Sequence, residues 1–189
     1  VDEQWEPGGQ FFKPLAPSHR FADSGCMDDQ FSGGRALTER VRALGIEVLQ
    51  RATIWGAFRD DDGVVELGVL AAHGAFYLRP AQLIVATGAY DRACPRPGWT
   101  LPGVYTLGGA QIALKAQGCV IGRRVVFMGS GPLLYLVAYQ YAHAGAAVAA
   151  VLDTARFSDA LPALPGLMTG GATMAKGLWY QNWLRVKGV

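Results

Sequence analysis

Cysteine is scarce in this 189-residue chain, and the three present, Cys26, Cys94 and Cys119, stand far apart. No Cys-x-x-Cys occurs, which excludes a dithiol redox motif and leaves no zinc-ligand spacing. An odd, scattered count also fits a reducing compartment better than a disulfide framework. Net charge is nearly absent too, since 17 Lys and Arg against 15 Asp and Glu leave only +2. The densest basic step is Arg123-Arg124, so the clustered basic face of a nucleic-acid binder is missing and no nucleic-acid partner is expected. The histidines, His19, His73 and His143, are too dispersed for a metal set or a proton relay. His143 instead falls near the end of an expected helix, where an imidazolium suits the dipole. No signal-peptide pattern precedes the first motif. The expected location is therefore the cytoplasm, with any association with the inner face of a membrane made through a partner.

Glycine is what the chain has in excess. Its 25 residues are roughly twice what an average usage of about 7% would give. They fall at punctuation points rather than every third residue, which signals tight turns or backbone approaching a ligand. Apolar residues make up 51% of the sequence, ample for a buried core. Val125 to Leu152 carries no Asp, Glu, Lys or Arg, and about 18 such residues can span a membrane. Gly129-Ser130-Gly131-Pro132 and Gly145 interrupt it, so strand, loop, helix and strand is the better reading.

Local patterns order the rest. A helix is expected from Ser32 to Leu44, with Leu37, Val41 and Leu44 on one face and Gly45 as its stop. Ile46-Glu47-Val48 alternates like a short strand, and residues 11–30 show no clear period. Thr53–Phe58, Val64–Ala71 and Ala75–Leu78 read as an antiparallel meander turned at Asp60-Asp61-Asp62-Gly63 and His73-Gly74. The three aspartates lack further acidic ligands at calcium-loop spacing and read as a solvated hairpin tip, so no metal site is expected. Leu83-Ile84-Val85-Ala86 is continuously apolar, as in a strand buried on both faces of a parallel sheet. A Pro- and Gly-rich crossing covers residues 95–103, and a helix from Leu107 to Ala116 closes at Gly118. Arg123–Met128 reads as a second buried strand, Pro132–Ala144 as a helix ending at Gly145, and Ala147–Leu152 as a third strand. Trp179, Trp183 and Leu184 suggest a packed C-terminal helix.

Three motifs carry chemistry. Gly129-Ser130-Gly131 follows a buried strand, where a glycine loop lets the backbone approach a pyrophosphate resting on helix N-terminal amides. Pro132 suits the first helical position. Asp153, about 20 residues on, ends the next strand and is placed to bond ribose hydroxyls. Leu134 departs from the pattern by standing where a third glycine would let helix and strand pack closely. The second motif, Ala86-Thr87-Gly88, is a strand end followed by glycine at the carboxyl edge of a sheet. The third, Asp2-Glu3 then Gly8-Gly9-Gln10, repeats the ribose-then-phosphate logic, with Gln10 able to offer an amide to a flavin or its chain. Cys94 lacks a base or partner and reads as inert, and Trp99 fits packing as well as ring stacking.

In this order the motifs resemble the FAD/NAD(P)-binding oxidoreductases with two dinucleotide-binding domains. The run Pro97-Gly98-Trp99-Thr100-Leu101-Pro102-Gly103-Val104, with Ala86-Thr87-Gly88-Ala89 before it and Gly129-Ser130-Gly131-Pro132-Leu133-Leu134 after it, is similar to one branch. That branch holds the flavin subunit of hydrogen cyanide synthase, the A subunit of opine oxidase and the alpha subunit of dye-linked proline dehydrogenase. The resemblance implies an α/β, Rossmann-like three-layer FAD/NAD(P)-binding fold with an antiparallel β-meander, present here as an internal fragment. Residues 1–103 would be part of an FAD-binding domain and residues 104–189 part of a second, NAD(P)-type domain. It implies FAD as cofactor, with NAD(P) or ATP at the second site, an amine or amino-acid substrate, and partner subunits in a heteromeric complex.

The expected activity is oxidation of a C–N bond in an amino acid or opine-like amine. Asp2 would hold the adenosine ribose, and Gly8, Gly9 and Gln10 the flavin chain. Ala86, Thr87 and Gly88 would line the cofactor edge, while Gly129, Gly131 and Asp153 would serve the second nucleotide. No catalytic residue is readable, and hydride transfer to a flavin needs no protein nucleophile. The alternative is a non-catalytic subunit that binds NAD or ATP and scaffolds a catalytic partner, which Leu134 favours. A pyridine-nucleotide disulfide reductase is disfavoured by the missing Cys-x-x-Cys.

Overall fold

Gly34 decides how the first helix packs. In the computed structural model, which describes residues 1–16, 18, 27–156, 158, 162, 166 and 170–189, α1 spans Asp28–Ala43. It starts earlier than expected, and its expected apolar face is not the buried one. Leu37 and Leu44 are exposed, whereas Gly34 is buried and Thr38 and Val41 are half-buried. Phe12 causes the difference. A Cβ on Gly34 would stand 2.9 Å from the Phe12 Cβ, so only glycine lets that ring lie against the helix. Gly45 does stop the helix, at φ +66°.

The chain divides into two compact units, Val1–Pro14 with Asp29–Ala89, and Leu15–Asp28 with Tyr90–Val189. In the first, β1 (Thr53–Arg59), β2 (Val65–Ala71) and β3 (Gly74–Leu78) form the expected antiparallel meander. The Asp60–Gly63 tip is a hydrogen-bonded turn: the Asp60 carboxylate accepts from the Val64 amide at 2.7 Å, and Gly63 takes φ +80°. Asp2 forms an isolated parallel bridge with Gln50.

Two expected strands are absent from this unit. Residues 46–48 are irregular, with Ile46 and Val48 exposed. Leu83–Ala86 also pairs with no described strand, and Ile84 is 88% exposed. A continuous apolar run signals a need for cover on both faces; no described strand of the unit lies beside this one to supply it.

The second unit contains a parallel β–α–β arrangement. Here α2 (Leu107–Gln117) precedes β4 (Arg124–Gly129), α3 (Pro132–His143), β5 (Ala147–Asp153) and α4 (Gly171–Val186). β4 and β5 pair in parallel, ending in register at Gly129 opposite Asp153. The helices sit where their local signals put them. Thr106 caps α2 and Gly118 closes it in the left-handed conformation; Pro132 opens α3, and Gly145 follows it at φ +91°.

The core lies between the helices and one face of the strand pair. Phe127 and Tyr141 meet edge to face at 5.3 Å, and the buried Tyr141 hydroxyl donates to the Ala110 carbonyl at 2.8 Å. Tyr139 packs among Trp179, Tyr180 and Trp183 of α4. β4 is not buried on both faces as expected. Val126 and Met128 are exposed opposite Phe127, because side chains alternate across a strand and described helices cover only one side. Both units are mixed α/β arrangements, and no described helix is long and apolar enough to cross a membrane.

Candidate functional site

The carboxyl end of β4 opens into a cavity of about 810 Å³. Its floor is Met128, Gly129 and Ser130 with Leu134 and Thr154, and its wall is the segment from Asp91 to Leu107. That wall is a series of turns, with Trp99 donating to Arg96 and Leu101 to Gly98 through backbone amides. Gly98 and Gly103 adopt φ +83° and +92°, a region open to glycine and strained for other residues. The Asp91 carboxylate accepts from the Gly108 amide and so fastens the wall to the first turn of α2.

The glycine turn is built for close approach. Gly131 sits at φ +89° before α3, and no side chain caps that helix. Pro132 has no amide hydrogen and the Leu134 amide donates to the Gly131 carbonyl at 3.3 Å, which leaves the Gly131 and Leu133 amides as the donors an anion can use. A Cβ at Gly131 would touch nothing within 4 Å, while one at Gly129 would lie 3.8 Å from Leu134 Cδ1. Leu134 is buried and fills the space between helix and strand that a third glycine would leave closed. Arg92 and Arg96 line the cavity, which suits a ligand with negative charge.

Asp153 lies at the end of β5, across from Gly129. Its Oδ2 accepts from the Tyr135 hydroxyl at 2.5 Å, and its Oδ1 accepts from the Ala155 amide at 2.8 Å. Burial first, and then the bond to Asp153, push the Tyr135 phenol up to about 12. Thr154 donates to the Gly129 carbonyl twice, from its amide at 2.7 Å and its hydroxyl at 3.0 Å.

The structure thus brings Gly129, Gly131 and Asp153 together around one strand-end. The other expected site residues lie in the first unit. The Asp2 carboxylate accepts from the Gln4 amide at 2.9 Å in a local turn. Gly8 and Gly9 take φ +133° and +56°, and the turn they make returns the Phe12 amide to the Gly8 carbonyl. Gln10 is exposed, as are Ala86, Thr87 and Gly88, which stand on an irregular segment rather than at a strand end. Cys94 and Trp99 line the cavity; Cys26 and His19 lie outside the described residues. Sequence reasoning missed Asp91, Arg92, Arg96, Tyr135 and Thr154. Thr106 before α2 was a readable cap, but nothing in the pattern marks the Asp91 or Tyr135 contacts. Among the described residues no group of His, Cys, Asp and Glu could hold a metal ion.

These features define a mixed α/β protein with a glycine turn at the end of a parallel strand pair. No family model matches the chain, and no solved structure matches it significantly. Curated proteins do. The chain is 38% identical over 163 residues to the A subunit of opine oxidase from Agrobacterium tumefaciens (strain Ach5), covering 82% of this chain and 32% of that protein. It is 37% identical over 194 residues to the A subunit of opine oxidase from Rhizobium meliloti (strain 1021), covering 100% of this chain and 41% of the relative. HcnB, a hydrogen cyanide synthase component of Pseudomonas aeruginosa, is 37% identical over 109 residues, covering 58% of this chain and 24% of HcnB. The resemblance read from the motifs therefore holds: the chain is related to the opine oxidase A subunits and to HcnB. It spans less than half the length of these relatives. Each relative is by name one subunit of an enzyme.

Proposed function

We propose that this chain forms part of an FAD-dependent oxidoreductase subunit that oxidises a C–N bond in an amino acid or opine-type amine, within a heteromeric complex. The observation that carries the nucleotide reading is the Gly129–Gly131 turn at the end of β4, opening on the 810 Å³ cavity with Asp153 in register beside it. In a Rossmann-like site, the turn and the first amides of α3 would receive phosphate, and Asp153 would receive ribose hydroxyls. The second nucleotide, NAD(P) or ATP, would sit there. Residues 1–103 would belong to the FAD-binding domain, with Asp2 toward the ribose, Gly8, Gly9 and Gln10 toward the flavin chain, and Ala86–Gly88 at the cofactor edge. When bound, FAD supplies the hydride acceptor; this chain's residues bind and orient.

Nucleotide released from the purified protein by denaturation and identified by mass tests this directly. Released FAD with flavin absorption supports the flavoprotein reading, whereas a colourless protein yielding ATP, NAD or nothing overturns it. Gly131→Ala forces a side chain into the strained φ region and should lower affinity at the second site by about tenfold, as read by calorimetric titration with ADP.

Leu134 supports a second reading. Its buried side chain spaces α3 from β4 and departs from the three-glycine fingerprint, as a subunit that binds NAD or ATP without catalysing would tolerate. Amine turnover by the complex that survives Gly131→Ala, with flavin held by the partner alone, would favour this scaffold role.

A further inference from the structure

Asp153 already has a hydroxyl partner, and that partner comes from the protein. Tyr135 lies on the first turn of α3, and its hydroxyl donates to Asp153 Oδ2 where a ribose hydroxyl would be expected to donate. The other oxygen, Oδ1, is held by the Ala155 amide. From α4, Gln181 is hydrogen-bonded to the same phenol and Arg185 acts on it electrostatically. We propose that Tyr135 is a specificity residue that occupies Asp153 in place of a ribose hydroxyl, so that a ribonucleotide must displace it to bind fully. This rests on the reading of Gly129–Asp153 as a nucleotide site and deepens it.

Chemistry supports exchange rather than simple addition. A ribose hydroxyl and a phenol are both neutral O–H donors, so a diol that takes the position on Oδ2 held by Tyr135 replaces it without a change in charge. The ligand gains a charge-assisted bond, but the protein loses one of the same kind. The net gain from recognising the ribose is therefore small while Tyr135 is present, and the site binds ribonucleotides weakly. Nucleotides lacking the diol lose little, because Tyr135 stays on Asp153. Selection for a ribose is thus muted by a residue that touches only the ribose end of the site.

Calorimetric titration of the protein and its Tyr135→Phe variant with ADP and with 2′,3′-dideoxy-ADP distinguishes the possibilities. Removing the phenolic hydroxyl should tighten ADP about tenfold, the scale of one hydrogen bond to a charged group, and leave the dideoxy compound unchanged. Asp153→Asn provides a second route, since it should erase the difference between the two nucleotides in either background. Equal ADP affinity in wild type and Tyr135→Phe, or equal tightening of both nucleotides, overturns the proposal while the nucleotide site stands. Weaker ADP binding by Tyr135→Phe also overturns it and makes Tyr135 a positioning residue. Failure of every form to bind either compound removes the nucleotide site itself, and the proposal with it.

Discussion

Lys115 carries a full ammonium stem into the interior of α2, where it is only 1% exposed. Burial pulls its pKa from 10.5 down to about 8, because a charge taken out of water favours its neutral form. The unfolded chain then binds more protons than the folded one between pH 8 and 10, so stability rises with pH across that window. Below pH 8 both forms are charged and the penalty is fully present. The expected gain from pH 8 to 10 is on the order of 2 kcal/mol. Lys115→Met should flatten it, as measured by urea unfolding at a series of pH values. A wild-type profile as flat as the variant's would show that burial does not favour the neutral amine at this position.

Among the elements, the meander shows how one aromatic can fix a strand pair. The register between β1 and β2 shifts between Ile54 and Gly56, leaving Trp55 free to lie over Gly68 of the neighbouring strand. A Cβ at Gly68 would stand 2.5 Å from the Trp55 ring, and Trp55 also meets Tyr77 of β3 at 6.1 Å. Gly68→Val should displace the indole and cost about 1–3 kcal/mol, seen as a lower urea midpoint with loss of near-ultraviolet tryptophan ellipticity. The meander was legible in the sequence because Asp-Gly and His-Gly turns are local. Helices α2 and α3 were legible for the same reason, through Gly118, Pro132 and Gly145. The face of α1 was not, since Gly34 is buried by Phe12, a distant residue no periodicity reports. At the site, the glycine turn and Asp153 were readable as a spacing. The contacts of Tyr135 and Asp91 were not, because neither of those two residues belongs to a motif.

At the scale of the whole molecule, apolar surface is left open within each unit. In the first unit Leu83, Ile84 and Val85 are exposed in sequence; in the second, Val126 and Met128 are exposed on the face of β4 away from Phe127. Contiguous exposed apolar surface on a folded chain marks contact with something else. The chain covers 41% of the Rhizobium meliloti relative and 24% of HcnB, and the proposed subunit works within a complex. Val126→Thr with Met128→Gln should therefore lower binding of an apolar fluorescent dye such as anilinonaphthalene sulfonate, while leaving the stability within about 0.5 kcal/mol of wild type by urea unfolding. Unchanged dye fluorescence would mean that this face is not a binding surface for apolar partners.

The Gly129 carbonyl receives both donors of Thr154, so a single oxygen rivets the glycine turn to the residue just beyond Asp153. Phosphate drawing on the turn and ribose drawing on Asp153 would pull against the same fixed point. Recognition at the two ends would then rise and fall together, making the strand-end one latch rather than two independent hooks.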